Sequence, residues 1–136
     1  MKVFLSYAKP DEKLARKIGD GLSQAGLTVW DYRREVLPGD LWSEKVTQAL
    51  RGSDAMVVLL TADGVHSEQV RWEIEYALGS QAFKNRLIPV IVGSPDKIQR
   101  NSVPWILWKL QTINLPEHGN QSKAIQQIAQ RLAQAA

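Results

Sequence analysis

The chain predicts an α/β domain of the doubly wound, flavodoxin-like type: a five-stranded parallel sheet in the order 2-1-3-4-5 with helices on both faces. Three observations carry this expectation. Strand-sized apolar runs alternate with amphipathic stretches along all 136 residues, the order that βαβ units with right-handed crossovers produce. Two of the runs, Ala55 to Leu60 and Leu87 to Val92, are continuously apolar, as strands covered on both faces are. The length suits one domain with its own core, so residues 1–136 are expected to form a single domain, whole or cut from a longer chain.

The elements follow in order. Val3-Phe4-Leu5 opens a strand ending near Tyr7. A helix is expected from Asp11 as N-cap, with Leu14, Ile18, Leu22 and Ala25 on one face and Gly26 ending it. Leu27 to Trp30 is a second strand, followed by a loop that holds Pro38-Gly39. The next helix starts near Ser43, with Val46, Ala49 and Leu50 inward; Asp40 and Ser43 are candidate caps. Ala55 to Leu60 is the third strand, and the helix after Ser67 carries Val70, Ile74, Ala77 and Leu78. Leu87 to Val92 is the fourth strand. Pro95 and Pro104 interrupt Ser94 to Leu110, which reads as a short helix plus irregular chain. Gln111 to Leu115 is a weaker fifth strand, and Ile125, Ile128, Ala129 and Leu132 mark a last amphipathic helix. In such a sheet the winding reverses between strands one and three, and ligands bind outside the carboxyl ends of the strands at that point. The candidate crevice is therefore built from Tyr7 to Asp11, Asp31 to Trp42 and Thr61 to Glu73.

Composition excludes several chemistries. There is no cysteine, hence no thiol catalysis and no thiolate-bound zinc, and only two histidines, His66 and His118, so no metal is expected. No apolar run approaches the roughly 20 residues that span a bilayer, and Met1-Lys2 leads directly into a strand rather than a signal peptide, so the expected location is cytoplasmic, with no membrane partner. The net charge of +3 comes from 17 bases dispersed among 14 acids, which reads as a solvated surface rather than a nucleic-acid platform.

Familiar motifs are absent as well. There is no GxGxxG, GxxxxGK[ST] or GxSxG, so no dinucleotide fingerprint, P-loop or nucleophile elbow. A phosphoacceptor site would want carboxylates at the carboxyl end of strand three, where the chain has Leu60-Thr61-Ala62; Asp54 lies at the other end. What remains is Glu73. At about 100° per residue it falls at the edge of the stripe set by Val70, Ile74, Ala77 and Leu78. Side chains lean toward the helix N-terminus, so its carboxylate is able to reach back toward the crevice. Pattern alone leaves two readings open, a boundary glutamate paired with a surface base and a functional acid.

Five segments in order, VFLSYAKPDEKLARKIGDGLSQAGLTVW, LPGDLW, SDAMVVLLT, HSEQVRWEIEYAL and RLIPVIV, resemble the Toll/interleukin-1 receptor (TIR) domain family, specifically its bacterial members. The most specific parts are Ser6, Tyr7 and Asp11, the GLTVW strand with its PGD-x-W loop, and Ser67, Val70, Glu73 and Ile74. The resemblance implies an NAD-consuming enzyme in which Glu73 is the catalytic residue, acting at the bond between nicotinamide and ribose. NAD is then substrate and no cofactor is expected. A lone carboxylate suits this chemistry. Glycosidases usually use one acid to protonate the leaving oxygen, whereas nicotinamide departs from NAD neutral, leaving the carboxylate to stabilise an oxocarbenium-like transition state. Water as acceptor gives ADP-ribose; an internal nucleophile gives a cyclic ADP-ribose isomer.

Candidate binding groups are Ser6, Tyr7, Lys9 and Asp11 for ribose or pyrophosphate, Arg33 or Arg34 for phosphate, and Trp42 or Trp30 for ring stacking. One departure stands out: many bacterial relatives place a tryptophan four residues before the glutamate, where this chain has Gln69 and the aromatic is Trp72. Trp72 falls nearly opposite the buried stripe, beside Tyr76, an arrangement that suits an interaction surface. The family implies assembly with other TIR domains, as a homo-oligomer or filament, and a fused or separate effector domain. Three activities compete on this reading: an NADase or cyclase in bacterial antiviral immune signalling, a non-catalytic assembly module or virulence effector, and a base-exchange enzyme acting on deoxynucleosides.

Overall fold

The computed structural model describes residues 1–135, apart from the side chain of Arg33. Five strands form one sheet: β1 (Lys2–Ser6), β2 (Thr28–Trp30), β3 (Ala55–Leu60), β4 (Leu87–Val92) and β5 (Ile113–Leu115). All pairings are parallel and the order is β2-β1-β3-β4-β5, the doubly wound order that the alternating elements predict. Every residue of β3 is buried, so the sheet is covered on both faces at its centre. Each such aliphatic side chain contributes about 1.5–3 kcal/mol by leaving water.

The helices are α1 (Glu12–Gln24), α2 (Tyr32–Glu35), α3 (Trp42–Gly52), α4 (Glu68–Leu78) and α5 (Ser122–Ala135). Helices α1 and α5 pack on each other so closely that a Cβ on Gly21 would lie 2.5 Å from Ile125 Cγ2. The end of α1 follows from Gly26, whose φ of +93° is open to glycine at little cost. With Ala25 as C-cap, Leu27 N–H donates to Leu22 O at 3.1 Å and Gly26 N–H to Ser23 O at 3.0 Å, the pair of bonds that defines a Schellman stop.

Several sequence expectations need correction. Asp11 holds the N-cap position of α1 as expected, but it also ends a 3₁₀ turn, Lys9–Asp11, and its side chain makes no cap bond; its carboxylate is engaged elsewhere. The buried stripe of α1 is Ala15, Ile18, Gly19 and Leu22, while Ala25 is exposed. Neither Asp40 nor Ser43 caps α3. Leu41 holds the N-cap position, and Asp40 instead accepts from Leu37 N–H at 2.9 Å, closing the turn before it. The supposed loop from Asp31 contains the one-turn helix α2. Strands β2 and β5 are shorter than expected, and Ser94 to Leu110 folds as three 3₁₀ turns, Pro95–Lys97, Arg100–Ser102 and Trp105–Lys109. Asp54, as its position predicts, stays away from the crevice and accepts from Lys2 N–H at 2.8 Å. No helix among the described residues is long and apolar enough to cross a membrane.

Candidate active site

Because β1 lies between β2 and β3, the segments after these three strands meet at one edge of the sheet, and Glu73 points into their junction. The helix that carries it starts where the sequence says it should: Ser67 Oγ accepts from Val70 N–H at 3.2 Å, fixing the first turn of α4. Glu73 is two turns further in and completely buried, not at the boundary where the helical wheel puts it. Three side chains explain how a carboxyl group tolerates that place. Ser6, the last residue of β1, donates its hydroxyl to Glu73 Oε1 at 2.7 Å. Tyr32, the first residue of α2, donates its hydroxyl to the same oxygen. Gln69, one helical turn earlier, donates its carboxamide to Oε2 at 3.2 Å.

These donors only partly offset desolvation. Burial pushes the Glu73 carboxyl up from the ordinary 4.5 to about 7, with the bonds from Tyr32, Ser6 and Gln69 holding it back from a larger rise. Burial first, and then the neighbouring Glu73 charge, raises the Tyr32 phenol well above its usual value, so it stays a donor across the physiological range. A desolvated acid with specific hydrogen-bond partners at a crevice is a candidate functional group.

Above this acid lies a cleft of about 310 Å³ lined by Tyr7, Lys9, Glu12, Tyr32, Val36, Trp42 and Gln69. Tyr32 and Gln69 therefore face the cleft and hold Glu73, which puts the carboxyl one residue layer beneath the opening. Tyr32 is also the hub of an aromatic cluster. It stacks on Trp42, with ring centroids 5.9 Å apart and 22° between planes, and meets Tyr7, Trp30 and Phe4 edge-on. Trp42 is 40% exposed, so its outer face is open to a planar ligand.

The expected site residues divide accordingly. Tyr7, Lys9 and Trp42 line the cleft. Ser6 is fully buried and faces Glu73 rather than the opening. Tyr7 is buried and its hydroxyl donates to Asp31. Asp11 is not among the residues lining the cleft and accepts from Thr61 Oγ1 at 2.6 Å; burial raises its carboxyl, the Thr61 bond lowers it and the Asp63 charge raises it. The Arg33 side chain lies outside the described residues. Arg34 is turned to α1, 2.8 Å from Asp20, and Trp30 is stacked on Phe4 at 5.1 Å with 11° between planes, so neither is placed for phosphate or ring binding. Trp72 is exposed at 46%, as its place opposite the stripe predicts, but Tyr76 is half-buried and leans on Phe83.

Two residues of the site escaped the sequence reading. Tyr32 had no signal beyond its place in the Asp31 to Trp42 segment. Gln69 stands where many bacterial relatives place an aromatic, and its contact with Glu73 supplies a polar function there instead. Among the described residues no group of histidine and carboxylate side chains is arranged to hold a metal ion.

The comparisons with known proteins agree with this fold. A metazoan TIR-STING receptor from C. gigas, solved in complex with 2',3'-cGAMP, is 26% identical with a TM-score of 0.78; the match covers 96% of this chain and 38% of that one. This chain thus spans well under half the length of that relative. The TIR domains of the activated Roq1 resistosome, which recognises the effector XopQ, share 17% identity at a TM-score of 0.74, covering 95% and 97%. A CMP N-glycosidase of Clostridium botulinum, BcmB, shares the fold at 15% identity and a TM-score of 0.61, covering 94% and 97%. The sequence matches the TIR domain family over residues 3–135, and on that near full-length match, in the sheet order observed, the chain belongs to the TIR domain family.

Proposed function

We propose that this TIR domain is an NAD glycohydrolase or cyclase that breaks the bond between nicotinamide and ribose. The observation that carries the proposal is Glu73: a buried, desolvated acid with three donors fixing its orientation, one layer below a cleft with an exposed indole at its rim and Lys9 on its wall. In the reaction the C1'–N bond breaks and its electron pair goes to the nicotinamide ring, which leaves neutral. The Glu73 carboxylate stabilises the oxocarbenium-like ribose, an electrostatic effect strengthened by the dry surroundings. Water then bonds to C1' and loses a proton, giving ADP-ribose; a nucleophile from the same molecule gives a cyclic isomer. Neither metal nor cofactor enters this scheme. Lys9 supplies charge for the pyrophosphate, and Trp42 a stacking surface.

The biological setting that fits is immune signalling in the cytoplasm, within a single domain that works alone or as part of a longer protein. Self-assembly belongs to the same proposal, on the observation that Leu37, Leu41, Trp42 and Trp72 are all at least 40% exposed. Leu37, Leu41 and Trp42 fall within six residues of each other, and exposed apolar side chains that adjoin mark contact surfaces between proteins. A reading in which the chain only assembles differs in one outcome, since it leaves NAD intact at every protein concentration. The test is nicotinamide release from NAD, followed by chromatography over a range of protein concentrations, for the native chain and Glu73→Gln. The proposal expects a rate per molecule that rises with concentration and is lost in the variant. CMP and a deoxynucleoside run in parallel would reveal an N-glycosidase of other specificity.

A further inference from the structure

An ionised carboxylate offers four lone-pair positions. The chain itself occupies three of those on Glu73: two on Oε1, by Ser6 and Tyr32, and one on Oε2, by Gln69. With no exposed surface left, Glu73 meets a ligand only after a donor moves. The three donors are held very differently. Ser6 is the terminal residue of a central strand, fully buried and in register with Val58 of β3. Gln69 sits on the same helix as Glu73, one turn away, and travels with it. Tyr32 belongs to no sheet. It opens the four-residue helix α2, whose backbone is secured by Arg34 N–H and Glu35 N–H on Asp31 O and by Val36 N–H on Tyr32 O, and its ring already lines the cleft.

We propose that Tyr32 is a positioning residue whose hydroxyl occupies the place of a substrate ribose hydroxyl on Glu73, and that a riboside binds by exchanging with it. When Tyr32 withdraws, Oε1 keeps Ser6 and gains a vacancy, while Oε2 keeps Gln69 and has its second position uncovered. One acceptor site then stands on each oxygen. That is the pattern a vicinal diol satisfies, 2'-hydroxyl on one oxygen and 3'-hydroxyl on the other, with geometry comparable to other two-point carboxylate contacts. A 2'-deoxyriboside fills only one of the two and leaves the other buried acceptor without a donor, which is costly. The same device thus keeps the acid satisfied while the site is empty and selects ribosides over deoxyribosides. The stacked Trp42, ten residues along the same segment, is placed to follow the Tyr32 ring.

This inference rests on the reading of the cleft as a riboside site but not on turnover. Tyr32→Phe keeps the ring and its contacts with Trp42, Trp30, Tyr7 and Phe4 and deletes only the competing hydroxyl. Isothermal titration with ADP-ribose and with the analogue that lacks the 2'-hydroxyl of its terminal ribose, at alkaline pH where Glu73 is ionised, compares native chain and variant. Hydrogen bonds to charged groups set the scale, and roughly tenfold tighter ADP-ribose binding is expected in the variant, with a similar gain for the deoxy analogue, which must displace the same hydroxyl, while both proteins prefer ADP-ribose to the analogue. Equal or weaker ADP-ribose binding in the variant, no preference for ADP-ribose over the deoxy analogue, or no ADP-ribose binding by either protein overturns the exchange. A purely structural Tyr32 would leave both ligands bound no more tightly in the variant. Nicotinamide release measured on the same native sample keeps the two proposals apart: the expected binding pattern beside intact NAD refutes the enzymatic reading and upholds the exchange.

Discussion

Replacing Glu73 with glutamine should make the protein more stable at pH 8, and by an amount that vanishes in acid. The reason lies in the buried carboxyl, raised from 4.5 to about 7 chiefly by loss of solvent. Below about pH 4.5 the group is protonated both folded and unfolded, so burial carries no charge penalty. As pH climbs from there the unfolded chain ionises readily while the folded one resists, and stability falls until the folded group ionises as well, near pH 7. The shift corresponds to a loss of about 3 kcal/mol. The glutamine amide is uncharged at every pH and has nearly the same shape. Its oxygen still accepts from the Ser6 and Tyr32 hydroxyls, and its amino group meets Gln69, whose carboxamide is able to turn and accept. Up to about 3 kcal/mol should therefore be recovered at pH 8, on the order of 10 °C in Tm for a chain of this size. Thermal and urea unfolding at a series of pH values, followed by circular dichroism, measures the difference between the two proteins, in which the other carboxylates cancel. A difference independent of pH, or a variant less stable than the native chain at pH 8, would refute the assignment of a strained buried acid. Stability gained by removing a functional group is the expected sign of a site that trades stability for chemistry.

Two further outcomes follow from the same structure. If the carboxylate is the working form, nicotinamide release should rise with pH through about 7, tracking ionisation of Glu73; a rate that falls across this range would assign the work to the protonated acid. At the carboxyl end of β3, Gly64→Ala should destabilise the fold by about 1–3 kcal/mol in urea titrations, since the new Cβ would lie 2.7 Å from Leu59 O and 3.1 Å from Thr61 Oγ1, and a backbone carbonyl has little room to yield.

How much of this was legible in the sequence depended on the range of the interaction concerned. The sheet order and most element positions were readable, because Ala55 to Leu60 and Leu87 to Val92 announce buried parallel strands without outside help and Ser67 and Gly26 punctuate their helices locally. The segment from Asp31 to Trp42 was not. A one-turn helix shows no periodicity, and Tyr32 beside Arg33 and Arg34 looks like any loop tyrosine. Glu73 was placed correctly along the chain but at the wrong depth. Its burial is decided by Ser6 and Tyr32, 67 and 41 residues away, and a helical wheel contains neither. Asp40 and Ser43 show the complementary error: each has the right residue type for a cap, but Leu41 starts α3 and Asp40 closes the turn before it, while Asp11 takes its N-cap position with its carboxylate drawn to Thr61 instead. Gln69 is intermediate, visible as a departure from the family pattern yet without a role until its contact with Glu73 was seen.

Cleavage of NAD through Glu73 separates an enzyme from a domain that only assembles. Native protein at high concentration, incubated with NAD at pH 8 and sampled for nicotinamide, should release it steadily, and Glu73→Gln, folded and more stable at that pH, should release none above background. Nicotinamide release by the variant at the native rate, or none by the native chain, would remove Glu73 from any such chemistry.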